Sequence, residues 1–195
     1  MNLSLIVTDS GPLITLAIAE SLDVLFLPHL PVIIPDMVRH EVIQDLSKPG
    51  AALVADWIRQ NDPHRLTVRS TEIFEEFMLL RSMNPATKTK NRGEQAAAEV
   101  LGRALDGKDC GAVLLFEDSA VRKTNFLTRL PDSVAVTSTS AFLFGLESRG
   151  LIQSAQSILD QAVNVRGNEI LVRYLEGTEG SEPVKAWAER MRPVP

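Results

Sequence analysis

The chain has 195 residues, 45% apolar and 23% charged, with a formal net charge of −5 at pH 7. These proportions fit a soluble globular domain and exclude a disordered chain, a collagen-like repeat and a disulfide-stapled miniprotein. With a single cysteine, Cys110, no internal disulfide can form. No apolar run approaches the ~20 residues of a membrane span and no signal-peptide pattern opens the chain, so a reducing cytoplasm is the expected compartment.

Residues 3–8 (Leu-Ser-Leu-Ile-Val-Thr) read as a buried strand with Asp9 at its carboxyl end. Ser10-Gly11-Pro12 opens a helix, with Ser10 or Gly11 as its cap and Pro12 in its first turn. A second apolar run spans 22–27. Pro31 to Pro35 is too short for a helix and reads as a strand. A helix over about 36–46 follows, carrying Glu41. Another is expected over 51–60, then a short strand at 66–68 and an acidic amphipathic helix over 71–83. Residues 84–92 form a polar loop with Lys88, Lys90 and Arg92. Gly93-Glu94 begins an alanine-rich helix running to about 105. Residues 112–116 read as a buried strand ending at Glu117-Asp118. A helix over 119–128, a strand over 134–137 and a helix over 139–148 follow, the last closed by Gly150. Helical stretches are expected at 152–163 and 183–191.

Strands alternating with helices predict an α/β fold with a mainly parallel sheet and right-handed crossovers. In such sheets ligands bind beyond the carboxyl ends of the strands. Asp9, Glu41, Glu94 and Asp118 come from four segments that can meet at that edge. Hard divalent cations take oxygen ligands, and such ions can orient a water and polarise a phosphate. Three dispersed histidines and one cysteine do not make a zinc site. Neither a phosphate-binding loop nor a GxGxxG motif is present.

Four segments together resemble the PIN-domain nuclease family. They are Ile6-Val-Thr-Asp9-Ser-Gly-Pro-Leu-Ile14, Ile33-Ile-Pro35-Asp-Met-Val-Arg-His-Glu41-Val, Gly93-Glu94-Gln-Ala-Ala and Leu114-Leu-Phe-Glu-Asp118-Ser-Ala-Val-Arg122-Lys. Val136-Thr-Ser-Thr139 and Leu151-Ile152 resemble the closing strand and last helix. The resemblance implies a Rossmann-type three-layer sandwich. It covers a PIN-like domain over 1–152; an insertion at about 71–92 and a helical C-terminal extension over 153–195 depart from the compact family pattern. It also implies a Mg2+- or Mn2+-dependent ribonuclease acting on single-stranded RNA, of the kind found as the toxin of toxin–antitoxin pairs. Asp9, Glu41, Glu94 and Asp118 would be the catalytic, metal-binding acids, with Ser10 and Thr139 as auxiliary hydroxyls. Expected partners are RNA, an antitoxin protein and a second copy of the chain.

Each assignment has a plainer competitor. Asp9 and Asp118 can cap helices, and Glu117 competes with Asp118 as the ligand. Glu41 can be a solvated helix residue. Glu94 suits a helix N-terminus through the dipole alone. Ser10 and Thr139 can be caps. Lys88, Lys90 and Arg92, and likewise Arg122 and Lys123, serve either as a solvated surface or as phosphate contacts. The alternatives to a nuclease are a catalytically silent PIN fold that binds RNA or protein, and a phosphatase using the same acids.

Overall fold

A computed structural model describes residues 3–117 and 130–166. Among these residues, β1 (Leu3–Thr8), β2 (Val32–Pro35), β3 (Leu66–Arg69), β4 (Gly111–Leu115) and β5 (Val134–Thr137) form one all-parallel sheet in the order β3-β2-β1-β4-β5. Ile6 stands between Val32 and Val113, and Val113 pairs onward with Ala135. The chain winds from β1 out to β3, then returns to the other side of β1 for β4. That reversal leaves a crevice at the carboxyl ends of β1 and β4, where ligands of open α/β sheets bind.

The two faces of the sheet follow the two-residue period of a strand. Ile6, Val32, Ile34, Val113 and Leu115 point to one side, under α1 (Ser10–Ile18), α3 (Ala51–Asn61), α6 (Thr139–Ser148) and α7 (Ala155–Arg166). Leu5, Val7, Ile33, Ala112 and Leu114 point to the other, under α5 (Arg92–Leu105). Strands buried on both faces explain why β1 and β4 read as continuous apolar runs rather than alternating ones. The arrangement is the α/β sandwich expected from the sequence.

Two helices bridge these layers near the carboxyl edge. α2 (Asp36–Ile43) follows β2 directly, and α4 (Glu72–Met83) lies against α2 and α5. Phe77 of α4 is fully buried with Met37 of α2 and Ala96 of α5. The start of α4 is fastened to both neighbours. Asp36 accepts from the Thr71 hydroxyl at 2.7 Å and from the Thr71 N–H at 3.0 Å. Glu99 accepts from the Glu72 N–H at 2.8 Å. The segment expected as an insertion is thus a brace between the two helices that carry Glu41 and Glu94.

Several boundaries differ from expectation. The first helix starts at Ser10 with Asp9 as the N-cap residue, not Ser10 or Gly11. α2 stops at Ile43, because Asp45 turns the chain by accepting from the N–H and hydroxyl of Ser47. The run at 22–27 is a short 3-10 helix, Leu22–Phe26. α7 begins at Ala155, after Ser154 accepts from the Ser157 N–H. Its Ala155 and Leu159 are buried in the same core as α1 and α6. The expected helices at 119–128 and 183–191 lie outside the described residues, as do Asp118, Arg122 and Lys123.

Candidate active site

The carboxyl edge of the sheet holds a pocket of about 180 Å³ lined by Asp9, Glu41, Glu94 and Glu117 together with Ser10 and Asn91. Each comes from an element end. Asp9 leaves β1, its N–H donating to the Leu115 carbonyl at 3.0 Å and so extending the parallel ladder one residue beyond the strand. Asp9 occupies the N-cap position of α1, yet its side chain makes no capping hydrogen bond. The capping alternative for this residue is therefore not realised. Glu94 sits in the first turn of α5, and Glu41 in the second turn of α2.

Gly93 sets the approach of two of these acids. A Cβ placed on Gly93 would lie 2.9 Å from Glu41 Oε2 and 3.2 Å from Asp9 Oδ1. The Gly93 N–H donates to the Glu41 carboxylate. α5 thus begins directly against the carboxylates of β1 and α2, and a side chain there would push them apart.

The electrostatics follow from that crowding. Burial raises the Glu41 carboxyl, and the negative charges of Asp9 and Glu94 raise it further, to about 8, against the lowering effect of the Gly93 N–H. Near neutrality, without a cation, Glu41 holds a proton, first because burial disfavours its ionised form and then because Asp9 and Glu94 lie beside it. A divalent cation removes that conflict.

Glu117 is held differently. Thr15 donates to its Oε2 at 3.0 Å and Thr139 donates to its Oε1. Gly11 gives it room, since a Cβ there would lie 3.1 Å from both Glu117 Cβ and Oε2. Thr139 therefore acts on a site carboxylate, while the α6 cap is supplied by Ser138, whose hydroxyl accepts from the Ala141 N–H at 3.1 Å. Thr15, buried one turn into α1, carried no sequence signal beyond its helical position.

Ser10 lines the pocket as expected. The basic loop is divided. Lys88 and Lys90 are exposed. Arg92 is instead the first residue of α5, with its guanidinium 3.7 Å from Glu76 and its Cζ 5.6 Å from the centre of the Phe77 ring. It is engaged with α4.

Among the described residues, no three His, Cys, Asp or Glu side chains converge closely enough to share one ion. The donor set nonetheless fits a hard cation. Its donors are all carboxylate oxygens, and magnesium is commonly held by one or two carboxylates with water completing the shell. Asp9 and Glu41, brought together over Gly93, supply such a pair.

A parallel sheet with acids gathered beyond its carboxyl edge, at the point where strand order reverses, is the frame of a PIN-type protein. The chain belongs to the PIN-domain family: the family model DUF3368, a PIN domain, matches residues 5–167. That range runs from β1 through α7. No curated protein and no solved structure gives a match. PIN domains are typically nucleases and generally use divalent metals, so a nuclease-type function is the reading that the family carries.

Proposed function

We propose that the protein is a Mg2+- or Mn2+-dependent endoribonuclease cleaving single-stranded RNA, with Asp9 and Glu41 holding the cation, Glu94 beside them and Asp118 completing the acid set. The observation that carries this reading is the meeting of Asp9 and Glu41 over Gly93, with the Glu41 carboxyl pushed up to about 8 beside Asp9 and Glu94. A bound cation would supply a polarised phosphate and a more acidic water. The chain's own residues do the rest. Asp9 and Glu41 are set by β1 and by the start of α5. Glu94 is presented by the α5 first turn. Glu117, anchored by Thr15 and Thr139, keeps the exit of β4 in register with α1 and α6.

The same reading places the protein in the cytoplasm as a toxin of a toxin–antitoxin pair, with an antitoxin protein and a second copy of the chain as partners. It takes 1–152 as the nuclease unit and 153–195 as its helical extension. Among the described residues, no helix is long and apolar enough to cross a membrane.

Cleavage of a fluorescent single-stranded RNA tests the proposal. Turnover should require Mg2+ or Mn2+, stop in chelator, and be lost in Asp9→Asn and Glu94→Gln. Turnover that persists in chelator, or in both variants, would overturn it. RNA binding without cleavage would favour the catalytically silent alternative, and hydrolysis of a phosphate monoester but not of RNA would favour a phosphatase.

A further inference from the structure

Asn91 is the N-cap residue of α5 and lines the acid pocket, but its side chain makes no capping hydrogen bond. An N-cap asparagine ordinarily accepts from the N–H two or three residues on, and does so from an extended backbone. Asn91 instead has φ 61° and ψ 9°, in the left-handed region. The N–H two residues on belongs to Gly93, and it donates to Glu41. Glu41 of α2 therefore takes over part of the capping of α5, and among the described residues the Asn91 carboxamide at the pocket is not spent on that cap.

The chemistry of the pocket gives that carboxamide a use. Ionised carboxylates only accept hydrogen bonds, and so do the non-bridging oxygens of a phosphodiester. A phosphate brought to this pocket meets like-charged acceptors, and a cation can satisfy only some of its oxygens. Ser10 and Asn91 are neutral donors in the lining. Asn91 brings two N–H groups, is exposed at the pocket mouth, and carries no charge that would compete with a cation for the acids.

We propose that Asn91 is a substrate-contact residue whose carboxamide N–H donates to a non-bridging oxygen of the RNA phosphodiester entering the acid pocket. This rests on the ribonuclease reading above. The competing explanation is conformational: asparagine is among the few non-glycine residues that tolerate a left-handed backbone.

Asn91→Gly separates the two, because glycine adopts φ > 0 freely and removes only the amide. Binding of a labelled single-stranded RNA is read by fluorescence anisotropy. Ca2+, with looser coordination geometry than Mg2+, serves as the cation so that binding is read ahead of cleavage. Asn91→Gly should weaken RNA binding about tenfold, the effect of losing one hydrogen bond to a charged group. Its melting midpoint in chelator should stay at the wild-type value, and Mn2+ affinity should hold within about twofold. Asn91→Asp, which also tolerates this backbone but sets a carboxylate beside the phosphate, should bind more weakly still. Wild-type RNA affinity in Asn91→Gly, or a loss of affinity matched by a fall in melting midpoint, overturns the proposal. If the wild-type protein neither binds nor cleaves RNA, the ribonuclease reading itself falls, an outcome distinct from failure of the Asn91 contact alone.

Discussion

The backbone N–H of Gly93 donates to the carboxylate of Glu41, so the start of α5 and the second turn of α2 share one hydrogen bond inside the acid pocket. The same glycine leaves the space into which Glu41 Oε2 and Asp9 Oδ1 approach. One residue without a side chain thereby fixes both the spacing and the charge crowding of the site.

Gly93→Ala puts this to a direct test. Alanine favours the helix by about 1 kcal/mol over glycine. The added methyl, however, would meet Glu41 Oε2 at 2.9 Å and force the carboxylates apart. The melting midpoint in chelator should be unchanged or higher, while Mn2+ affinity falls about ten- to a hundredfold, as for the loss of an orienting neighbour of a metal ligand. Calorimetric titration read beside thermal melts checks both halves. Unchanged metal affinity would show that the close approach at Gly93 does not matter to the site.

The raised Glu41 carboxyl makes the apo protein pH-sensitive in a definite direction. Its folded value, about 8, lies above the ordinary 4.5, so the folded state holds a proton that the unfolded state releases between those pH values. Stability of the metal-free protein is therefore fully retained below about 4.5, where both states hold the proton, and falls as pH rises from there to about 8. Glu41→Gln abolishes the effect. In chelator it should melt higher than wild type at pH 8, by ~3 °C or more, and much closer to wild type at pH 5. Equal melting differences at both pH values would contradict the shift. For the same reason Mn2+ affinity of the wild type should climb as pH rises toward 8 and then level.

Phe77 should prove to be the keystone of the α4 brace. It is fully buried, with the His40 ring 5.3 Å away and Arg81 and Arg92 near its face. Burial holds His40 below its usual pKa, with Arg81 and Arg39 adding to the effect. A neutral His40 can accept the 2.8 Å contact from Arg81 Nη1. Phe77→Ala should cost about 3–5 kcal/mol of unfolding free energy, measured by denaturant titration. A loss below about 1 kcal/mol, the effect of an ordinary surface change, would remove α4 from the account of how Glu41 and Glu94 are placed.

The basic stretch before Glu94 should behave as two parts. Lys88→Ala/Lys90→Ala removes two exposed cations and should flatten the dependence of log RNA affinity on log salt by up to about 1.4 units, at ~0.7 per phosphate contact on a single strand. The melting midpoint should not move. Arg92→Ala should instead lower stability, because Arg92 packs over Phe77 and pairs with Glu76. A slope unchanged in the double-lysine variant would assign the RNA path to another face.

The three central strands were legible in the sequence because they are short apolar runs ended by Asp9, Pro35 or Glu117, which is how doubly covered parallel strands are written. Asp9, Glu41 and Glu94 were legible as acids just past strand ends or in early helical turns. Three features were not. The brace role of α4 depends on Asp36 and Glu99 reaching a distant helix start, and helical periodicity does not report partners so far apart in sequence. Thr15 gives nothing away locally, since its hydroxyl reaches Glu117 across 102 positions of chain. Arg92 read as loop because it directly precedes glycine, whereas its contacts with Phe77 and Glu76 belong to the first turn of α5.

The most direct test of the central claim, that Asp9 and Glu41 form a cation-holding pair with Glu94 beside it, is a Mn2+ titration by isothermal calorimetry at pH 8 on the wild type, Asp9→Asn and Glu94→Gln. The account predicts saturable binding to the wild type, a loss of at least about tenfold in affinity in each variant, and a higher apo melting midpoint in Asp9→Asn, where one of the repelling charges is gone. Wild-type Mn2+ affinity retained in both variants would contradict it.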